Sequence, residues 1–293
     1  MTSRPRRSVL YMPGSNGRAL EKAKTIGADA LILDLEDSVA PELKAQARAQ
    51  VAGAVKGGGY GQRELVIRIN ALSTAWGRED MAVAAAVGPD AVLIPKVSTP
   101  GDIMMAAKEL REAGAPEKTR LWAMMETPQA VLNADAIVRT AGDPASRLGV
   151  LVMGTNDLAK ESRARLTKGR APMLAWLSIC VLAARAHGAE IIDGVYGDLA
   201  DEAGFRAECE QGRDFGMDGK TLIHPNQVAI CNEVFAPAAA EVEWARKIIA
   251  AFELPENRDK GVISLDGRMV ERLHAAMARH TVAIAEAIAA RAP

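Results

Sequence analysis

At 293 residues, 49% of them hydrophobic and 25% charged, the chain can bury one large core or two modest ones and has the composition of an ordinary soluble globular protein. A formal net charge of −1 with no basic block excludes an electrostatic footprint for nucleic acid or for an anionic membrane surface. The basic start runs into an apolar stretch of only residues 9–12 before Pro13, too short for a signal peptide, and no run approaches membrane-spanning length. Cys180, Cys209 and Cys231 lack metal or redox-motif spacing and read as reduced thiols, which places the protein in the cytoplasm.

In chain order, residues 8–14 read as a first strand and 15–26 as a helix with Leu20, Ala23 and Ile26 facing inward. Residues 30–37 read as a second strand, closed by Asp34, Glu36 and Asp37, and Pro41 opens a helix to about residue 55. The glycine-rich stretch 57–61 ends a helix and precedes a strand, the wrong side for cradling phosphate, so it reads as a flexible turn. A third strand ends near Arg68 and Asn70, a helix covers 75–87, and a fourth strand ends at Pro95 and Lys96. After a helix from about 102 to 113, two apolar runs end in acids: 121–126 closes on Glu126, and 148–154 is followed closely by Asp157. A helix over 173–187, a seventh strand at 190–196, a helix over 200–215 and an eighth strand at 219–225 complete the series.

Apolar runs bounded by turn formers are the signature of strands buried on both faces. Eight strand-then-helix units over roughly 235 residues match a closed (β/α)₈ TIM barrel, typically about 250 residues long. The first turn lacks the glycine fingerprint that an open dinucleotide-binding sheet needs. The reading therefore assigns residues 1–235 to a catalytic barrel. Residues 236–293 form a C-terminal helical extension, with one helix past Gln227 to about residue 252, a polar link, and a last helix over about 267–289, available to pack on a neighbouring subunit.

In such a barrel the strand ends converge on one mouth, which would gather Asp34, Glu36, Asp37, Arg68, Lys96, Glu126, Asp157, Asp193 and His224. Two dehydrated carboxylates at equivalent strand ends need a cation or hydrogen-bond donors between them, and hard oxygen ligands suit Mg²⁺. Taken singly, Glu126 and Asp157 read equally well as helix N-caps or ion-pair partners. Arg68 is the best-placed cation for a small oxyacid, and His224 beside Pro225 reads as a structural hydrogen bonder more readily than as a base.

Together, Arg7-Ser8-x-Leu10-x-x-Pro13-Gly14, Asp34-x-Glu36-Asp37, Arg68-x-Asn70, Pro95-Lys96, Glu126-Thr127, Asp157-Leu158, Lys220-x-x-Ile223-His224-Pro225-x-Gln227 and Asp266-Gly-Arg-Met269-Val270 resemble the citrate lyase β-subunit-like branch of the HpcH/HpaI aldolases. That branch includes the malyl-CoA and citramalyl-CoA lyases. The resemblance implies a Mg²⁺-dependent carbon-carbon lyase that splits a 3-hydroxyacyl-CoA thioester into an acyl-CoA and a 2-oxo acid, in a homotrimer or homohexamer. It implies Glu126 and Asp157 as metal ligands, Arg68 on the oxo-acid oxygens, and Glu36 and Asp37 holding metal-bound water. Glu271 stands where many members carry the aspartate that a neighbouring subunit supplies as acid/base. CoA is expected to cross the rim near the first and eighth strands, by Pro225, with Arg7, Ser8 and Lys22 toward its phosphates; for these three, surface solubility explains the residues as well. Two other readings stay open: a citrate lyase β subunit acting on an acyl-carrier thioester, and a barrel that binds acyl-CoA or an oxo acid without turnover.

Overall fold

The structure, a computed structural model, describes residues 4–291. The eight apolar runs form β1 (Ser8–Pro13), β2 (Ala30–Asp34), β3 (Glu64–Arg68), β4 (Ala91–Ile94), β5 (Arg120–Met125), β6 (Leu148–Met153), β7 (Glu190–Asp193) and β8 (Gly219–Leu222). All are parallel and paired in sequence order, and β8 pairs with β1 to close the barrel. The expectation of a (β/α)₈ barrel is met.

Strand side chains alternate between the two faces of a sheet, so each strand serves two cores. Val9, Ala30, Ile32, Val66, Ala91, Leu93, Trp122, Met124, Val150, Val152 and Ile192 fill the barrel interior. Their neighbours Leu10, Leu31, Leu33, Ile67, Val92, Leu121 and Leu151 have the opposite parity, are equally buried, and meet the surrounding helices. This double burial explains why the strands read as unbroken apolar runs. Below the interior, the Arg6 guanidinium lies 5.5 Å from the centre of the Trp122 ring and pairs with Glu64 at 2.6 Å, closing the amino end of the barrel.

The helices begin and end where local chemistry dictates. Asn16 caps helix Gly17–Lys22 by accepting from the Ala19 N–H at 3.1 Å, so that helix starts two residues later than periodicity suggests. Pro41 opens a 3₁₀ turn, Pro41–Leu43, ahead of helix Lys44–Gly57. The expected helix past Gln227 is broken into Val228–Val234 and Ala239–Glu253, with Pro237, which lacks the N–H a continuous helix needs, between them.

The chain divides into two compact units, 6–232 and 233 onward, the second taking in Arg4 and Pro5 as well. In the second unit the expected last helix is corrected. Residues 262–271 form a hairpin of β9 (Val262–Leu265) and β10 (Arg268–Glu271), and the helix is Arg272–Ala289. Asp266 and Gly267 turn the hairpin with φ of 48° and 76°, the left-handed pair that an Asp-Gly loop favours and a helix forbids. Ile248, Phe252, Ile263, Val270, Ala275 and Ala278 give this unit its own core.

Gly219 sits where β8 meets the chain entering β1, and a Cβ there would collide with the carbonyl oxygens of Arg6 and Arg7. Gly219→Ala should therefore lower unfolding free energy by about 2–4 kcal/mol in urea titrations, because backbone must move to admit the methyl group. A change below about 0.5 kcal/mol would mean that the seam is looser than described.

Candidate metal and oxyacid centre

At the carboxyl ends of β2 and β3, Asp34 and Arg68 are register partners, and both are buried. Arg68 grips Asp34 with a two-pronged bond, Nε to Oδ1 and Nη2 to Oδ2, each 2.7 Å. Its remaining nitrogen, Nη1, lies 2.8 Å from Glu36 and 3.4 Å from Asp37, and the guanidinium carbon is 4.8 Å from the centre of the Tyr11 ring. Asp34 in turn accepts from the backbone N–H groups of Glu36 at 2.9 Å and Ser38 at 3.1 Å, which shapes the turn carrying the other two acids. Burial raises the Asp34 pKa, but Arg68 outweighs it and holds the carboxyl below its usual range. Glu36 goes the other way: burial, with Asp37 and Glu126 adding, pushes it up to about 8 against the pull of Arg68.

Facing this group, β4 leads into Pro95 and Lys96, β5 into Glu126, and β6 through Gly154 into the helix Thr155–Ser162 that carries Asp157 in its first turn. Glu126 is 1% exposed and accepts from the Lys96 backbone N–H at 2.7 Å. Lys96 Nζ lies 2.8 Å from Asp157 and 3.7 Å from Glu126. Gly154 is required here, since a Cβ would strike the Glu126 side chain. Burial pushes the Glu126 pKa up to about 7 despite Lys96. Burial also raises Asp157, but bonds from Lys96 and from Glu126 outweigh it and hold that acid below its ordinary value. Burial, with Asp157 adding to it, thus disfavours a charge on Glu126 that only a nearby cation offsets. Thr127, not Glu126, caps the following helix, Pro128–Leu132, so the N-cap alternative for Glu126 falls.

The donor set fits a hard divalent cation. Among the described residues no group of three His, Cys, Asp or Glu side chains could hold a metal, and the candidate donors at this mouth are the two carboxylates of Glu126 and Asp157. That is how Mg²⁺ is commonly held. One monovalent charge, the Lys96 ammonium, already stands beside both acids, and Arg68 and Glu36 are near enough for their charges to act on the same region.

Other expected residues lie elsewhere. Arg7 and Ser8 are at the amino end of β1, away from the mouth: Arg7 makes a two-pronged bond to Asp29 at 2.8 and 2.9 Å, and Ser8 bonds Asn232 at 2.7 Å and is fully buried. Neither is free to meet a phosphate, which corrects that expectation. Lys22 is exposed at the last turn of a helix that leads away from the mouth. Asp193 points outward, opposite in parity to Ile192, into a buried cluster with Arg170 at 2.6 Å and Lys220 at 3.0 Å, and does not join the centre. His224 caps a short turn, accepting from the Asn226 N–H at 3.2 Å, while half-buried Pro225 opens that turn just past β8 on the mouth side. Glu271 belongs to the second unit, where its N–H donates to His274 Nδ1 at 2.9 Å.

Two residues that support the centre had no strong sequence signal. Tyr11 shares the inward parity of Val9 and supplies the face on which Arg68 rests. Lys44 is buried and donates to the carbonyls of Leu35 and Glu36 and to Asn70 Oδ1, each at 2.8 Å, which ties the acidic turn to β3.

The fold and centre define a class: parallel eight-stranded barrels with an acid pair and an arginine at the carboxyl mouth. The chain belongs to the HpcH/HpaI aldolase/citrate lyase family, whose model matches residues 7–225. It is 53% identical to (3S)-malyl-CoA thioesterase of Cereibacter sphaeroides over 98% of this chain and 96% of that one. It is 34% identical to L-malyl-CoA/beta-methylmalyl-CoA lyase of the same organism, over 98% and 97% of the two chains. The crystal structure of CitE from Mycobacterium tuberculosis in complex with magnesium, acetoacetate and coenzyme A superposes with a TM-score of 0.74 at 25% identity, covering 96% of this chain and 98% of that one. No helix among the described residues is long and apolar enough to cross a membrane.

The raised Glu126 pKa gives a signed expectation. In the metal-free protein this group's contribution to stability is complete below about pH 4.5 and is lost as pH rises through about 7. A divalent cation removes that cost but must compete with the proton at lower pH. Millimolar Mg²⁺ should therefore raise the melting temperature by several degrees near pH 8 and by little near pH 5.5, with Glu126→Gln erasing the difference. An equal effect at both pH values would dissociate Glu126 from the metal.

Proposed function

We propose that this protein is a Mg²⁺-dependent enzyme acting on a malyl-type CoA thioester, with hydrolysis to the free hydroxy acid and CoA as the net reaction. The observation that carries the reading is the buried Glu126 beside the half-buried Asp157, on the same barrel mouth as Arg68, an arrangement suited to a chelating oxyacid. The likeness to a thioesterase at 53% identity supports hydrolysis.

In this reading Glu126 and Asp157 hold the ion, which when bound supplies charge stabilisation to the substrate's carboxylate and hydroxyl oxygens. Arg68, fixed by Asp34 and by the Tyr11 ring, faces the same oxygens and needs no rearrangement when substrate arrives. Glu36 and Asp37 flank Arg68 and orient water. Glu36, pushed up to about 8, carries a proton at neutral pH that it can donate. Hydrolysis adds water at the thioester carbonyl, breaks the C–S bond and returns the proton to the departing thiolate.

Carbon-carbon cleavage is a second reading, favoured by the lyase among the relatives. There the hydroxyl proton goes to a base, the C2–C3 bond electrons form the enolate of the acyl-CoA, and C2 becomes the carbonyl of a 2-oxo acid. For either reaction we carry Glu271 as the proton-transfer group, in a cytoplasmic homotrimer or homohexamer whose barrel domain is 1–235 and whose extension is 236–293. The likeness at 266–270 supports that placement, with Glu271 standing where many members carry aspartate.

Incubating the purified protein with (3S)-malyl-CoA and Mg²⁺ while following free thiol and oxo acid separately decides between the two. Thiol and malate without glyoxylate are expected; glyoxylate with acetyl-CoA would establish the lyase reading, and neither product would overturn both. Glu126→Gln should lower kcat/KM by about a hundredfold or more, the scale of a lost ligand to a catalytic ion.

A further inference from the structure

Lys96 is a charged group at the centre that neither reading uses. Its backbone is left-handed, with φ of 56°, at a position without glycine, and the amide N–H of this strained residue is the one that holds Glu126. Its side chain then folds back over the acids instead of extending into solvent, with Nζ 2.8 Å from Asp157 and 3.7 Å from Glu126. On its other side Lys96 lines a cavity of about 370 Å³ together with Leu72, Ile94, Pro95 and Met105. The side chain is 36% exposed, so the ammonium has room and water to move into.

From this geometry we propose that Lys96 is an internal counter-ion that a divalent cation must displace, so that metal loading is an exchange of one cation for another. The inference rests on the reading of Glu126 and Asp157 as the metal ligands. An ammonium within about 3–4 Å of the space between two carboxylates screens their mutual repulsion while the ion is out. It also repels an arriving divalent charge and occupies oxygen lone pairs the ion needs. The lysine stem has four rotatable carbons, and the cavity gives the released ammonium a wall to lie along. Lys96 is thus a positioning residue: it sets how tightly and how readily the centre loads, through Glu126 and Asp157.

The test is Mg²⁺ binding by titration calorimetry on the metal-free full-length protein near pH 8.5. Removing the competitor in Lys96→Met should tighten Mg²⁺ binding by roughly twofold to fivefold, the range expected for releasing one partly exposed ion pair. Lys96→Arg should return affinity to the wild-type level or below, and Lys96→Met should melt earlier than wild type in chelator while gaining more from added Mg²⁺. Unchanged or weaker Mg²⁺ binding in Lys96→Met, with the variant folded by circular dichroism, would overturn the exchange. Mg²⁺ binding that survives in Glu126→Gln would instead show that the ligand assignment is at fault, and the exchange would fall with it.

Discussion

The cost of holding Glu126 dehydrated at the end of β5 is the constraint on which the rest of the mouth depends. A carboxylate that is 1% exposed must lose its charge or be matched by one, and the surrounding sequence supplies matches rather than apolar cover. The Lys96 amide and ammonium approach from β4, Gly154 on the β6 side leaves room for the side chain, and Asp157 stands on the next helix. Each of these is a small or polar residue where packing alone would favour a larger apolar one. A stability penalty of this kind is sustained where the group has work to do, and the proposed cation is the partner that would relieve it.

Arg68 is governed by the same logic with the sign reversed. Its guanidinium is buried, so three carboxylates and an aromatic face converge on it, and the two-pronged bond to Asp34 fixes its plane. Asp34 is the acid spent on fixing Arg68, which leaves Glu36 and Asp37 on the outer edge, where a ligand arrives. Lys44 reinforces the arrangement from beneath by holding the Leu35 and Glu36 carbonyls. The centre is rigid because every strand end that contributes to it is also braced by a neighbouring strand end.

The barrel was legible because strands buried on both faces have no other way to read, and eight of them in regular alternation leave few topologies open. Convergence of Arg68, Lys96, Glu126 and Asp157 followed from the fold alone. Parity did not follow: Asp193 closes a strand just as Glu126 closes one, yet it faces outward and is consumed by Arg170 and Lys220. Arg7 and Ser8 were misplaced because sequence proximity to the mouth says nothing about which end of β1 they occupy. In the second unit, Asp266-Gly267 was a readable hairpin signal, obscured by the helical periodicity of the residues that follow. Tyr11 and Lys44 show the remaining limit, since their roles arise from long-range contacts that local pattern does not encode.

The proposed centre holds one divalent ion between the side chains of Glu126 and Asp157, within reach of Arg68. Anomalous diffraction from crystals grown with Mn²⁺, recorded at the manganese edge, locates such an ion directly. A strong peak is expected about 2.1 Å from one oxygen of each carboxylate, with the Lys96 ammonium moved aside. A peak at any other set of side chains, or none between these two at saturating Mn²⁺, would contradict it.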